Sequence, residues 1–206
     1  MCLLLVLCQS GFLHPHGLTG MGNDGFSGRN ASRFLYRLHS CEVQMSVDVT
    51  QVYEEISDDE GKILHCYMCS EGHKTVGIGH KVLQNDPESN LPVHGAYDDV
   101  PESEGIDEAR CYELFQSDVQ IAIDGCTAIY DNWDDLPQEI KHILTNMCFQ
   151  LGQGGLSKFK NMNSAVEQEA WGMMSLEMMD SRWAQQTPER AARLRDRVLA
   201  VAAAGE

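Results

Sequence analysis

The chain has 206 residues, 43% of them hydrophobic, enough to bury one core or the cores of two closely joined lobes, and it reads as a single folding unit with a cleft. Its 15 basic residues against 31 acidic ones leave a formal charge of -16, which argues on electrostatic grounds against nucleic acid and anionic membrane surfaces as partners. No apolar run is long enough to span a membrane.

The opening run MCLLLVLCQSGFL is apolar but has no Lys or Arg ahead of it. Residues 1–20 are expected to be a signal peptide or leader, which would make the protein secreted or extracellular; without such a signal it is cytoplasmic. Residues 21–48, with Gly22, Gly25 and Gly28 among polar residues, predict a flexible Gly-rich linker. This extension can equally lie outside the working protein, since Met45 can begin a self-sufficient domain. Asn30-Ala31-Ser32 matches a glycosylation acceptor, which matters only for a secreted chain. The eight cysteines admit disulfides in an oxidising compartment. Cys111 and Cys148, however, fall on apolar helix stripes and read better as buried free thiols.

The main domain is expected over 49–206. Val52 to Asp58 predicts a short helix with Val52, Ile56 and Tyr53 inward, delivering Glu60 at its C-terminal end. Ile63 to Cys69 has strand character, with Leu64, Cys66 and Met68 on one face and Ile63, His65, Tyr67 and Cys69 on the other. Ser70 to Lys74 reads as the turn. A second strand, Thr75 to Gly79, puts Val76 and Ile78 on one face and Thr75, Gly77 and Gly79 on the other, which is left nearly bare. Glycine in a strand gives up packing, and is best understood where a ligand or another backbone comes close. A fold about Gly72 makes Cys69 and Thr75 direct cross-strand neighbours, roughly 5 Å apart at Cβ. A carboxylate, a thiol and a hydroxyl then border one surface the size of a sugar ring.

Residues 84–105 hold three of the six prolines and six acidic residues without one Lys or Arg, and predict an exposed loop or lobe extension. Asp107 is the expected N-cap of a helix running to about Asp124 and ended by Gly125, with Ile106 as a staple and Cys111, Leu114, Phe115, Val119 and Ala122 as its apolar stripe. Asp118 lies on the same stripe, where a carboxylate needs a partner. The next helix, Pro137 to Leu151, carries Ile140, Ile143, Leu144, Met147 and Leu151 at helical spacing and stops at Gly152. Phe159, the Trp171 region and the methionines at 173, 174, 178 and 179 predict further packed helices. Thr187 as N-cap and Pro188 at N1 begin a last helix with Ala191, Leu194, Val198 and Ala202 inward.

Glu60, eight residues, Cys69, five residues, Thr75: this pattern, with the GIGH run from Gly77 to His80, resembles the phage-type lysozymes of glycoside hydrolase family 24. Those proteins carry a Glu, then an Asp or Cys, then a Thr at the same intervals. The likeness continues through NMCFQLG (Asn146 to Gly152) and SRWAQQTPERA (Ser181 to Ala191), and covers about residues 50 to 200. It implies an α+β fold with a small β-hairpin lobe (60–105), a long connecting helix (107–125) and a larger helical lobe (130–202), with a cleft between the lobes. The implied reaction is hydrolysis of the β-1,4 bond between N-acetylmuramic acid and N-acetylglucosamine in bacterial peptidoglycan, bacteriolytic in defence or digestion. No cofactor or metal is implied, and a monomer is expected. The resemblance places catalysis on Glu60, Cys69 and Thr75, and substrate contacts on Glu71, Phe149, Gln150, Arg182, Gln186 and Thr187. It makes Glu71 and Arg182 a pair across the mouth of the cleft. His80 with Asp118, and Arg190 beside Glu60, are its structural supports. Met162 and Glu177 depart from the family's small polar groups.

Cleaving a glycosidic bond needs an acid for the departing oxygen and a group that supplies or steers the nucleophile. Glu60 is the candidate acid. Cys69 and Thr75 either hold a water for single displacement, or Cys69 attacks the anomeric carbon; the two routes differ in product stereochemistry. Cys66, Cys69 and His73 have spacings a zinc site can use, but strand alternation points Cys66 and Cys69 to opposite faces. From a different class comes the alternative of a weakly active or inactive glycan-binding relative, motivated by Cys69 and the acidic surface.

Overall fold

The structure, a computed structural model, describes residues 47–205, so the expected signal, the glycosylation acceptor and all of the expected linker but Val47 and Asp48 lie outside the described residues. Asp48 accepts hydrogen bonds from Thr50 N (3.0 Å) and Gln51 N (3.3 Å), capping the first described helix, α1 (Val49–Glu60). The helix is a turn longer at its start than expected, because that cap lies ahead of Val52. Val52 and Ile56 are buried on one face, and Glu60 is the last residue.

Two strands follow, β1 (Ile63–Met68) and β2 (Lys74–Gly77), and their register differs from expectation. Thr75 lies opposite Tyr67 and Lys74 opposite Met68, so Cys69 faces His73, with Cys69 N donating to His73 O at 2.9 Å. Gly72, at φ +75°, closes a three-residue loop by donating to Cys69 O at 2.9 Å. A left-handed glycine after a turn is a standard three-residue hairpin closure, and it centres the hairpin on Glu71, not Gly72. The pairing slips again between Ile63 and Tyr67. This irregularity accompanies the burial of the neighbours Cys66 and Tyr67, where strict alternation would bury one.

The expected bare glycine strand is also revised. Gly77 (φ +66°) and Gly79 (φ +73°) bracket a tight turn, and the chain doubles back as β3 (His80–Lys81) against β2. A Cβ on Gly77 would sit 3.2 Å from Cys111 Sγ, so its close approach is to a helix of the protein itself. Val76 and Ile78 consequently part company, Val76 entering a small cluster with Cys66 and Leu114, and Ile78 the main core.

The stretch expected as an exposed loop contributes to the sheet. After a 3-10 turn (Pro87–Asn90), β4 (Val93–His94) pairs in parallel with β1, giving the order β3-β2-β1-β4. Glu88, 3% exposed, receives both Arg110 Nε (2.7 Å) and Arg110 Nη2 (3.3 Å), which pins the stretch to the next helix.

That helix, α2 (Glu108–Thr127), begins at Asp107, whose side chain accepts from Arg110 N at 2.7 Å. It runs through Gly125 without stopping. A Cβ at Gly125 would lie 3.0 Å from Cys148 Sγ and 3.1 Å from Gln153 Cβ, so this glycine lets two helices approach and terminates neither. Leu114 serves the small cluster while Phe115, Val119 and Ala122 serve the large one, so α2 joins two cores.

The centre of the large core is α3 (Gln138–Leu156), buried on every side from Ile140 to Cys148. Gly152, at φ 68° and ψ 163°, breaks it, but helix resumes to Leu156 instead of ending. Around it lie α4 (Lys160–Glu167), α5 (Trp171–Met179), α6 (Arg182–Gln186) and α7 (Pro188–Ala204). Met174 and Met178 are fully buried core. Thr187 precedes α7 as expected, but its hydroxyl donates back to Trp183 O at 3.0 Å and makes no cap bond. The architecture is α+β, with a small four-stranded sheet and seven helices among the described residues. No described helix is long and apolar enough to cross a membrane.

Candidate active site

α1 ends in Asp58, Asp59 and Glu60, three carboxylates at the helix terminus where the backbone dipole already favours cations. Asp59 and Glu60 are compensated from α7, where Arg190 and Arg193, three apart, share a face. Arg190 Nη1 donates to Glu60 Oε1 at 2.6 Å, its Nε to Asn146 Oδ1 at 2.8 Å and its Nη2 to Asn146 O at 3.1 Å. Arg193 Nη2 donates to both oxygens of Asp59, at 2.6 and 2.7 Å, and Asn146 Nδ2 donates to Asp59 Oδ2 at 3.1 Å. Glu60, 9% exposed, and Arg190, 6% exposed, thus form a buried pair with further hydrogen bonds to the guanidinium. Asp59, Asn146 and Arg193 complete this network without having been singled out in the sequence. Two signals were available, the acidic triplet at a helix end and the i,i+3 arginines.

Glu60 opens on a cleft of about 350 Å³ whose walls include Gln150, Gln186, Thr187, Arg190 and Arg193. Gln150 is fixed there by its Oε1, which accepts from Trp183 Nε1 at 2.6 Å. The remaining sequence candidates lie elsewhere. Phe149 lines a recess of about 240 Å³ with Gly79, Lys81 and Asp118, and its ring lies against Phe115 with centroids 5.6 Å apart. Arg182 lines a groove of about 460 Å³ with Phe159, Glu177 and Gln186. Among the described residues no ion pair joins Glu71 to Arg182, so the expected bridge across the mouth is not formed. Met162 is core, 1% exposed, whereas Glu177 borders the groove.

Cys69 and Thr75 are not directly opposed, yet a side-chain hydrogen bond still joins them. Thr75 is 2% exposed, and its hydroxyl also reaches His73 O at 3.0 Å. Burial pushes the Cys69 thiol up, but hydrogen bonding with the His73 backbone, the Thr75 side chain and the Glu71 backbone outweighs it and holds the thiol below its ordinary value. The hairpin loop therefore makes Cys69 easier to ionise than an ordinary thiol. Cys66, Cys111 and Cys126 shift the other way, burial raising each. The five described cysteines are free, and no described group of three His, Cys, Asp or Glu has the geometry to hold a metal.

His80 Nδ1 lies 2.8 Å from Asp118 Oδ2, and its Nε2 lies 3.5 Å from Asp86 Oδ2. This places β3 against α2, with the imidazole between two carboxylates.

A buried carboxyl at a helix end beside a polar cleft, in a fold whose small sheet is joined by one helix to a helical lobe, is the arrangement of a glycoside hydrolase of lysozyme type. The Phage lysozyme family model matches residues 57–199. The chain is 30% identical over 159 residues to "Probable T4-type lysozyme 2" of Dictyostelium discoideum, covering 71% of this chain and 92% of that protein. It is 28% identical over 160 residues to "Probable T4-type lysozyme 1" of the same organism, with the same coverage of 71% and 92%. With "Pre-baseplate central spike protein Gp5" of Enterobacteria phage T4 it shares 29% identity over 150 residues, 68% of this chain and 26% of that protein. The chain belongs to the phage lysozyme family.

Proposed function

We propose that the protein hydrolyses the β-1,4 bond between N-acetylmuramic acid and N-acetylglucosamine in bacterial peptidoglycan, with Glu60 protonating the departing oxygen. The observation that carries this is the position of Glu60, at a helix end and open to a cleft whose walls also present Gln150, Gln186 and Thr187. Arg190 holds one carboxyl oxygen of Glu60 and is itself held by Asn146, so the acid has little freedom to turn. Cys69, assisted by Thr75, is the second group, acting as a thiolate that places the attacking water or attacks the anomeric carbon. His80 and Asp118 support the sheet against α2. Glu71, Phe149 and Arg182 contact the polymer outside the central cleft. The protein acts as a monomer, and its role is bacteriolytic, in defence or digestion.

The test is clearing of a bacterial wall suspension by the wild type and by Glu60→Gln, which keeps an acceptor for Arg190 but removes the acidic proton. The variant is expected to lose roughly 10²-fold or more of the rate while melting close to the wild type. Clearing by Glu60→Gln at the wild-type rate would remove Glu60 from the chemistry. Failure of the wild type to clear over a broad pH and salt range would leave a glycan-binding relative.

A further inference from the structure

His142 on α3 is enclosed as thoroughly as the apolar core around it, 2% exposed, yet it takes no part in the site at Glu60. It is occupied instead with the start of α1, where Asp48 N lies 3.2 Å from His142 Nε2. A backbone N–H can only donate, so Nε2 is the acceptor and the neutral ring carries its proton on Nδ1. Nδ1 is buried and meets no hydrogen-bond partner among the described residues. Gln138 Nε2, one helical turn back, lies 3.1 Å from the same Nε2. Val47 is buried in the main core, and the Asp48 carboxylate caps α1. Val47 and Asp48 N thus dock the chain ahead of α1 onto the core, and the polar part of that dock is a titratable ring.

Charged groups face this ring from each element packed against it. Asp48 stands ahead of α1 and Glu55 on it, Glu139 is on α3 itself, and Arg197 is on α7. Arg197 Nη1 donates to Glu55 Oε2 at 2.6 Å and its Nε to Glu139 Oε1, so both glutamates are already engaged. Burial, with the repulsion of Arg197, outweighs the attraction of the acids and holds the pKa of His142 below the ordinary 6.5. The folded chain therefore binds this proton less tightly than the unfolded chain does. The contribution of His142 is complete above about pH 6.5 and is lost as pH falls through the lowered value.

We propose that His142 is an acid-released clasp: the neutral ring holds the chain ahead of α1 against α3, and the protonated ring lets it go. The added proton occupies Nε2, the nitrogen that accepts from Asp48, and sets two N–H groups face to face. Gln138 can turn its amide and offer an oxygen to the charged ring. The Asp48 N–H is fixed in the backbone and has no such choice. A buried donor left without an acceptor is unfavourable, so the segment moves off the ring and water takes the place of Nε2. Val52 and Ile56, fully buried, keep the remainder of α1 in place, so the release is local. Whatever precedes Val47 joins the domain at this point, and acid loosens that attachment while Glu60, at the far end of α1, stays where it is.

Amide hydrogen exchange of the full chain, resolved by residue and corrected for the intrinsic pH dependence of exchange, tests this between about pH 7.5 and about pH 4.5. The Asp48 amide is expected to lose about tenfold of its protection on acidification, while the Ile56 amide on the same helix keeps its own. His142→Gln offers an amide oxygen that does not titrate, and should protect Asp48 equally at both ends of the range. In the wild type the Asp48 N–H resonance and the His142 ring resonances should also titrate with one midpoint, a reading that needs no variant. Constant protection of Asp48 in the wild type, the same loss in His142→Gln, loss at Asp48 and Ile56 in step, or separate midpoints would each overturn the clasp.

Discussion

Glu60 is nearly enclosed, and its carboxyl lies 2.6 Å from a guanidinium. Positioning the side chain therefore falls to Arg190 and Asn146. At His80 burial and ion pairing oppose each other. Burial works against its charge, but hydrogen bonding and attraction to Asp118, then to Asp86, prevail and raise its pKa above the ordinary 6.5. A raised folded-state value means the native state binds the proton more tightly than the unfolded chain does. The stabilisation is complete below about pH 6.5 and is lost as pH rises through the raised value. Thermal melts of wild type and His80→Gln should therefore differ most near pH 5.5 and converge toward alkaline pH. A gap independent of pH would show that His80 contributes by packing alone.

Elements were legible to different depths. Helices α1, α2, α3 and α7 could be read from apolar spacing and caps because those signals are local. The hairpin could not be registered, because its loop length and the slip in β1 depend on Gly72 taking a left-handed conformation and on what packs behind the strand. The stretch over 84–105 lacked an apolar pattern, so β4 and the buried Glu88 were invisible: the first depends on pairing with β1 and the second on the distant Arg110. Glu60, Gln150, Gln186, Thr187 and Arg190 line one cleft; the family resemblance had grouped them, and no spacing in the sequence does so by itself. The expected Glu71 to Arg182 pair, absent from the ion pairs of the described residues, would have to join a hairpin loop to a helix start, and no local rule fixes that distance. Gly77 offers a test at this scale. Gly77→Ala would force a side chain into a left-handed conformation and against Cys111 Sγ, with an expected loss of about 2 kcal/mol in denaturant unfolding. An unchanged midpoint would mean that the turn between β2 and β3 relaxes freely.

Across the whole molecule, net charge and local charge act over different distances. A charge of -16 repels an anionic wall at long range, but at physiological ionic strength that field decays over about 8 Å, while contacts inside a groove are much shorter. Wall clearing by the wild type is expected to stay flat or rise between low and physiological salt. A steep loss over that range, followed by initial rates, would show that attraction rather than repulsion governs approach.

Phe149, Gln150 and Leu151 are three consecutive residues on the last turn of α3 before Gly152, and each borders a different recess. Successive helix positions diverge by about 100° with a rise of only 1.5 Å, so backbone geometry sets the angles between these recesses. The end of α3 thus stands between the three recesses, and anything that filled more than one of them would have to turn about that helix end.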